Sequence, residues 1–209
     1  MPTDEPKQNR VTPLGDIVAI PLRGGWCGNR GILHRGFDVV RYHATDLWIT
    51  CALSFKDWRL PQWEPHHFTL LFFHDEAVSL AAGHRPCALC RRSAYDDFRA
   101  AIAAENGAPR LSAKALNQRL HAERIHRGTH RRQIHAMGWT GLPDGTFVLH
   151  NDLPALVLED RLVPWTTEGY RAATERPRRG TASVITPPTS VAALRHGYPA
   201  QIDVSAAQP

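Results

Sequence analysis

Residues 83–92 read GHRPCALCRR and bring two cysteines, Cys87 and Cys90, together at C-x2-C spacing. That spacing lets both sulfurs lie about 2.3 Å from one metal ion, as a tetrahedral zinc site requires. Two thiolates fill only half of such a site, so two more ligands must come from elsewhere in the chain. The sequence therefore predicts a zinc knuckle in this stretch.

The knuckle lies between two predicted helices. The first covers residues 76–82, with Asp75 in the N-cap position and Gly83 as the C′ residue. The second begins near Ser93, which opens a capping-box pattern, and repeats its apolar residues at i, i+3 and i+7. The two cysteines are thus expected in a tight connection between helices.

Residues 81–92 resemble the end of the zinc domain at the N-terminus of the Ada family of DNA alkylation-repair proteins. In that family a short helix and an A-G-x-R-P-C-x-x-C run supply half of a four-cysteine zinc site. The family's other half is a C-x3-C pair, whereas this chain offers only Cys27 and Cys51, which are far apart. The resemblance implies zinc and a DNA partner. It also implies a zinc-bound thiolate that accepts a methyl group, a role open only to Cys51; because the paired motif is absent, we do not assign that activity.

The third and fourth zinc ligands have several candidates. Cys51 lies on the apolar face of an alternating strand, residues 47–55, where it is either a buried small hydrophobe or the third ligand. We favour the ligand, because the C-x2-C pair is two ligands short. For the fourth position Cys27 would complete a four-thiolate site, and His34 would complete a three-cysteine, one-histidine site. Cys27 is preferred, and both stay open.

Composition predicts a cytoplasmic protein with reduced thiols. The 209-residue chain has 43% hydrophobic residues, no run of 18 apolar residues and a polar N-terminus without the apolar core of a signal peptide. No membrane partner is therefore expected. Four cysteines in a reducing compartment favour metal binding over disulfides, although two disulfides are the alternative.

The formal net charge of +5 makes an acidic partner plausible, and we predict nucleic acid, with DNA preferred over RNA. The residues expected to contact phosphate groups flank the knuckle or lie in the glycine-rich and basic loops: Arg30, Arg85, Arg91, Arg92, Arg131 and Arg132. A role in DNA repair or in the handling of foreign DNA is the corresponding functional prediction.

The predicted architecture is α+β. A disordered tail over residues 1–13 precedes an Ada-like zinc-binding domain over residues 14–108, with short strands and helices around the knuckle. A helix and a small antiparallel β-rich part follow over residues 109–200, and residues 201–209 form a second tail. The boundary near residue 108 is based on Gly107-Ala108-Pro109 and on the different residue pattern of the chain after it.

No enzyme motif stands out, so catalysis is left open. One alternative is a zinc-thiolate alkyl acceptor, and another is a metal-dependent nuclease that uses the histidines between residues 121 and 135. His126 and His130 have i, i+4 spacing, but Gly128 between them argues against a helix there. The remaining alternative is a zinc-stabilised protein-interaction module.

Overall fold

The computed structural model describes residues 5–58, 62–105 and 107–207, and in these ranges it contains 15 strands in three sheets and four α-helices. The α+β prediction with an Ada-like zinc domain is therefore wrong, because the described residues form a β-rich fold with many strands in three sheets and few helices. Seven of the strands in these ranges are only two residues long. A two-residue strand has no measurable period, so hydrophobic patterning could not predict it.

The strands in the N-terminal half are β1 Arg10–Val11, β2 Ile17–Val18, β3 Trp26–Asn29, β4 His34–Arg35, β5 Asp38–Val39, β6 Ile49–Cys51, β7 Leu71–Phe73 and β8 Arg85–Pro86. Those in the C-terminal half are β9 His135–Gly138, β10 Phe147–His150, β11 Leu153–Leu158, β12 Arg161–Thr166, β13 Gly169–Tyr170, β14 Thr174–Glu175 and β15 Thr181–Val184. The helices are α1 Glu76–Ala81, α2 Arg92–Ala104, α3 Ala113–Arg124 and α4 Pro188–Arg195, with short 3-10 helices at Trp139–Gly141 and Val204–Ala207.

The first sheet has the strand order β2-β1-β7-β3-β6-β8. Strand β3 is antiparallel to β6 and β7, and its register places Cys27 directly opposite Cys51. Strand β8 pairs with β6 in parallel, so the start of the knuckle continues this sheet. Strands β4 and β5 form a separate two-stranded ribbon.

The second sheet has the order β13-β12-β11-β10-β15-β9, with β14 beside β12. Strands β10, β11 and β12 form an antiparallel meander, as their alternating pattern and the turns between them predict. On one face of the meander, Phe147, Leu156 and Val163 pack against helix α1. This packing brings the meander close to the knuckle.

Helix α1 has both of the caps that the sequence predicts. Asp75 is its N-cap and accepts a hydrogen bond from the Val78 amide, and Gly83 follows its C-cap with a φ of +88°. Helix α2 differs in its first turn: it begins at Arg92, so Ser93 lies inside the helix, and the N-cap residue Arg91 makes no capping side-chain hydrogen bond. The knuckle cysteines lie between these two helices.

Two hydrophobic clusters join the halves of the chain. In one cluster Leu80 and Phe98 pack with Leu120 and Leu194. The second is formed by α1 and the meander, where Ala77, Val78 and Ala81 meet Phe147, Leu156 and Val163. The boundary near residue 108 stays a prediction, with both of these cores crossing it.

Parts of both predicted disordered tails form regular structure among the described residues. Arg10–Val11 forms strand β1 with Val11 buried, and Val204–Ala207 forms a 3-10 helix with Ala206 buried. The predictions for residues 1–4 and 208–209 lie outside the described ranges. In the part of the chain that the structure describes, no helix combines the length and the apolar character needed to cross a bilayer.

Candidate metal centre

Three thiols converge at the edge of the first sheet. The Sγ atoms of Cys51, Cys87 and Cys90 lie within 4.8 Å of one another, and all three cysteines are free. Two sulfurs bound to the same tetrahedral zinc lie about 3.8 Å apart when each Zn–S bond is about 2.3 Å. The three thiols could therefore hold a metal ion with small side-chain adjustments.

Backbone pairing between β6 and β8 brings these thiols together. The Cys87 amide donates to the Thr50 carbonyl at 2.9 Å, and the Arg85 amide donates to the Trp48 carbonyl at 3.2 Å. This parallel pairing fixes the knuckle beside Cys51, which is 36 residues earlier than Cys87 in the sequence. The Leu89 amide points at the Cys87 sulfur at 3.4 Å, a contact that favours a thiolate there.

Cys27 is next to this group. It is fully buried, and because it stands opposite Cys51 across the β3–β6 pair, both side chains project from the same face of the sheet. Its thiol contacts the carbonyls of Cys51 and Ala52 at 3.6 and 3.2 Å. Cys27 is not part of the group whose sulfurs all lie within 4.8 Å of one another. Its side chain must therefore rotate before it can bind the same metal ion as the other three cysteines.

His34 lies in a different environment. Its ring is buried and contacts the Thr69 hydroxyl at 2.6 Å through Nδ1 and the Glu64 carbonyl at 3.2 Å through Nε2. Both ring nitrogens therefore have protein partners, and the group of thiols does not include this residue. His34 as the fourth ligand is not favoured by its surroundings.

The protonation of the thiols is uneven. A hydrogen bond from the Cys51 thiol lowers the pKa of Cys87 to about 5, and the same interaction raises the pKa of Cys51. Burial raises the pKa of Cys90, and it raises the pKa of Cys27 to about 12. Cys87 is thus the natural first thiolate, and a bound cation would be needed to deprotonate its neighbours.

An apolar cavity of about 340 Å³ lies against Cys51, Cys87 and Cys90. Its other walls include Phe55, Trp58 and Leu89, of which Trp58 and Leu89 are more than half exposed. Leu89 lies within the motif itself, whereas sequence analysis did not connect Phe55 and Trp58 with the cysteines, because they come from another loop and share no spacing with the motif.

Four of the six arginines predicted to contact nucleic acid place their guanidinium groups inside the protein: Arg30, Arg85, Arg91 and Arg132. Arg85 donates to the Asn117 side chain at 2.9 Å. Arg91 pairs with the Glu76 carboxylate at 2.7 Å. The burial of these four side chains does not favour contact with a nucleic-acid backbone, and that contact stays a prediction.

Arg92 and Arg131 are exposed. Arg92 forms an i, i+4 ion pair with Asp96 at 3.0 Å, and 70% of its side chain is accessible. Arg131 lies in the basic loop after helix α3. Their exposure is compatible with contact to nucleic acid, which stays a prediction for these two residues as well.

The histidines considered for a nuclease form no metal site. In residues 5–58, 62–105 and 107–207, the thiol group above is the only set of three or more His, Cys, Asp or Glu side chains close enough to hold an ion. His126 is exposed, and its carbonyl accepts a hydrogen bond from the Thr129 side chain. His130 instead approaches His43, a neighbour that sequence analysis missed because 87 residues separate the two.

Models of known protein families, curated proteins and solved structures gave no match to this chain. The likeness of residues 81–92 to the Ada zinc domain therefore stays a prediction from those residues.

Proposed function

We propose that this protein binds one Zn²⁺ through Cys51, Cys87, Cys90 and Cys27, and that the ion has a structural role. The observation that carries the proposal is the convergence of three sulfurs within 4.8 Å of one another. Cys27, on the facing strand, supplies the fourth ligand after a change of rotamer. Four thiolates complete a closed tetrahedral shell, which is typical of structural rather than catalytic zinc.

The choice of zinc follows from the donor atoms. Thiolates are soft ligands that select Zn²⁺, Cu⁺ or iron–sulfur clusters over Mg²⁺ and Ca²⁺. An all-cysteine tetrahedral site with a C-x2-C pair is typical of zinc ribbons and related folds.

A structural role follows from the elements that the ion would join. Strands β3, β6 and β8 have four, three and two residues, so their backbone pairing alone provides little stability. An ion held by thiols from all three segments would cross-link them, and its binding energy would contribute to folding.

Metal analysis of the purified protein tests the proposal. We expect one zinc per chain in the wild type and loss of zinc in Cys51→Ser, Cys87→Ser and Cys90→Ser. The His34→Ala variant is the matched control and should keep its zinc, because His34 already has two protein partners. A wild-type protein without bound metal, or zinc that stays after all three cysteine substitutions, would contradict the proposal.

Nucleic-acid binding is not part of this proposal. Of the six arginines considered for it, only Arg92 and Arg131 are accessible, and Arg92 is neutralised by Asp96. Two exposed cations on separate segments do not make the continuous basic surface that binding to a polyanion requires.

A further inference from the structure

A cleft of about 830 Å³ opens between the loop that carries His43 and helix α3 with the loop that follows it. Three imidazoles line it: His43, His121 and His130. The ring centroid of His43 is 5.1 Å from that of His121 and 5.7 Å from that of His130. A cleft of this volume is in the range that binds small molecules and cofactors.

Buried positive charge lies behind the imidazoles, beneath the residues that line the cleft. The guanidinium carbons of Arg30 and Arg124 lie 4.0 and 3.8 Å from the ring centroid of Trp48, and all three side chains are almost completely buried. The Trp48 ring in turn packs against two of the imidazoles, with its centroid 5.7 Å from that of His43 and 6.3 Å from that of His121. Positive charge therefore lies directly behind the imidazoles.

A third arginine adds to this group, and none of the three has a carboxylate partner in the described part of the chain. Arg124 donates to the carbonyls of Gly83 and Asp46, and Arg132 donates to that of Ile185. Arg30 donates through Nε to Nε2 of His84 at 3.2 Å, but among the described residues its Nη1 and Nη2, like Nε and Nη1 of Arg132, are buried without a hydrogen-bond partner.

Such a group is unusual, because buried charges in proteins are normally paired. Arg91 in this same protein shows the ordinary arrangement, with the Glu76 carboxylate at 2.7 Å. Asp46, which lines the cleft, and Asp16 act on these arginines only from beyond ion-pair distance. Three guanidinium groups against two more distant carboxylates leave a local excess of positive charge, which an anion in the cleft would offset.

The imidazoles are prepared to donate hydrogen bonds. Nη2 of Arg124 donates to Nδ1 of His121 at 2.8 Å, which leaves the proton of the neutral ring on Nε2. Burial, with His121 and His130 next to it, lowers the pKa of His43 to about 4, so this ring is neutral near pH 7 and carries one donor. The adjacent arginines disfavour a metal cation among these rings.

We propose that this cleft binds a small molecule through a phosphate-type oxyanion, with His43, His121 and His130 as hydrogen-bond donors and Arg30, Arg124 and Arg132 as the source of the positive field. The body of the ligand would occupy the cleft between the His43 loop and helix α3. This site is separate from the thiol group, and it does not depend on zinc binding.

Calorimetric titration at constant ionic strength tests the proposal, with inorganic phosphate and a nucleoside monophosphate as probes and chloride as the reference anion. We expect saturable binding of at least one probe, at one per chain. His121→Ala and His130→Ala should each weaken binding about tenfold or more, since a hydrogen bond to a charged group contributes at least that much. The Arg92→Ala variant, altered at an exposed arginine outside the cleft, should bind like the wild type.

A second variant separates a binding role from a purely structural one. Arg30→Met should abolish phosphate binding and, in the absence of phosphate, raise the urea midpoint, because an apolar side chain of similar size removes an unpaired buried charge. Phosphorus-31 line broadening with the wild type gives a readout that needs no variant to fold.

Three results would overturn the proposal. The first is a wild type that binds neither phosphate probe more tightly than chloride. The second is binding that stays unchanged in both histidine variants. The third is binding of a 5′-phosphorylated oligonucleotide without binding of either small probe, which would indicate a surface for a polymer instead.

Discussion

Glu76, the first residue of helix α1, and Arg91, the N-cap residue of helix α2, form a buried ion pair. This pair joins the starts of the two helices on either side of the knuckle. Only 2% of the Glu76 side chain and 7% of the Arg91 side chain are exposed, and Arg91 lies over the ring of Trp26 at 3.9 Å. Tyr198 also donates to the carboxylate. Because the negative charge has no route to water, its stability depends on Arg91.

Replacing Arg91 with methionine should therefore lower the free energy of unfolding by about 3–5 kcal/mol, since it leaves Glu76 buried without its cation. The neighbouring Arg92→Met variant should change it by less than about 0.5 kcal/mol, because Arg92 is exposed. Urea unfolding of the two variants checks this difference. Equal effects would contradict the structural role assigned to Arg91.

His43 gives the protein a pH-dependent stability. Burial and the nearby His121, His130, Arg124 and Arg30 lower the pKa of His43 to about 4, against about 6.5 in an unfolded chain. As the pH falls from 6.5 towards 4, the unfolded chain takes up this proton first. The stability contributed by the neutral ring is therefore present above pH 6.5 and is lost across that window.

Replacing His43 with glutamine should flatten this dependence. The urea midpoint of the variant should fall less between pH 7 and pH 4.5 than that of the wild type. The difference in the pH slope of the unfolding free energy should correspond to at most about one proton taken up on unfolding. Loss of metal at low pH affects both proteins, so the difference isolates His43. An identical decline in the two proteins would contradict the lowered pKa.

At the scale of elements, helices α1 and α4 end in the same way. Gly83 and Gly197 have φ values of +88° and +84°, and in each case the next amide donates back to a carbonyl in the last turn. Their surroundings differ. A Cβ on Gly83 would lie 2.7 Å from Cδ of Arg124, whereas one on Gly197 would meet nothing within 4 Å.

The Gly83→Ala variant should therefore be destabilised by about 2–4 kcal/mol, as left-handed strain adds to displacement of Arg124. The Gly197→Ala variant carries only the strain, about 1–2 kcal/mol. Thermal or urea unfolding measures both. If the two variants lose the same stability, Gly83 is not required for the approach of Arg124.

Sequence patterns predicted some elements and missed others for physical reasons. The cap at Asp75 and the meander of β10, β11 and β12 have local signals, and the structure contains them. The strand expected over residues 47–55 is only three residues long, because β6 pairs with β3 and β8 only over Ile49–Cys51. Tertiary pairing set its length.

Some residues of the candidate sites likewise have a signal in the sequence, and others do not. Cys87 and Cys90 carry their own spacing signal, and strand alternation pointed to Cys51. The sequence around an arginine does not show whether its side chain faces water. The sequence-based prediction therefore places Arg30 and Arg132 on the surface. The burial of Arg30 depends on Trp48 and Tyr42, and that of Arg132 on the Ile185 segment, which are brought to them only in the folded chain.

At the scale of the whole molecule, the thiol group and the second sheet share helix α1. This helix packs on the meander, and Gly83 connects it to the knuckle. The halves of the chain also share the cluster of Leu80, Phe98 and Leu194. We therefore expect the molecule to unfold as one cooperative unit.

Zinc release and loss of β structure should consequently follow the same urea transition. A colorimetric zinc indicator reports the first, and far-ultraviolet circular dichroism reports the second. Two separated transitions would show that the zinc-binding part unfolds independently of the second sheet, and that the shared clusters do not couple the two halves.

The most direct measurement of the central claim is zinc K-edge X-ray absorption of the purified wild-type protein. Four cysteine thiolates predict a shell of four sulfur atoms at about 2.3 Å, with no nitrogen or oxygen in the shell. A shell of three sulfurs with one nitrogen or oxygen would contradict the place given to Cys27. A shell made mainly of nitrogen or oxygen, or a protein that contains no zinc, would contradict the thiolate site itself.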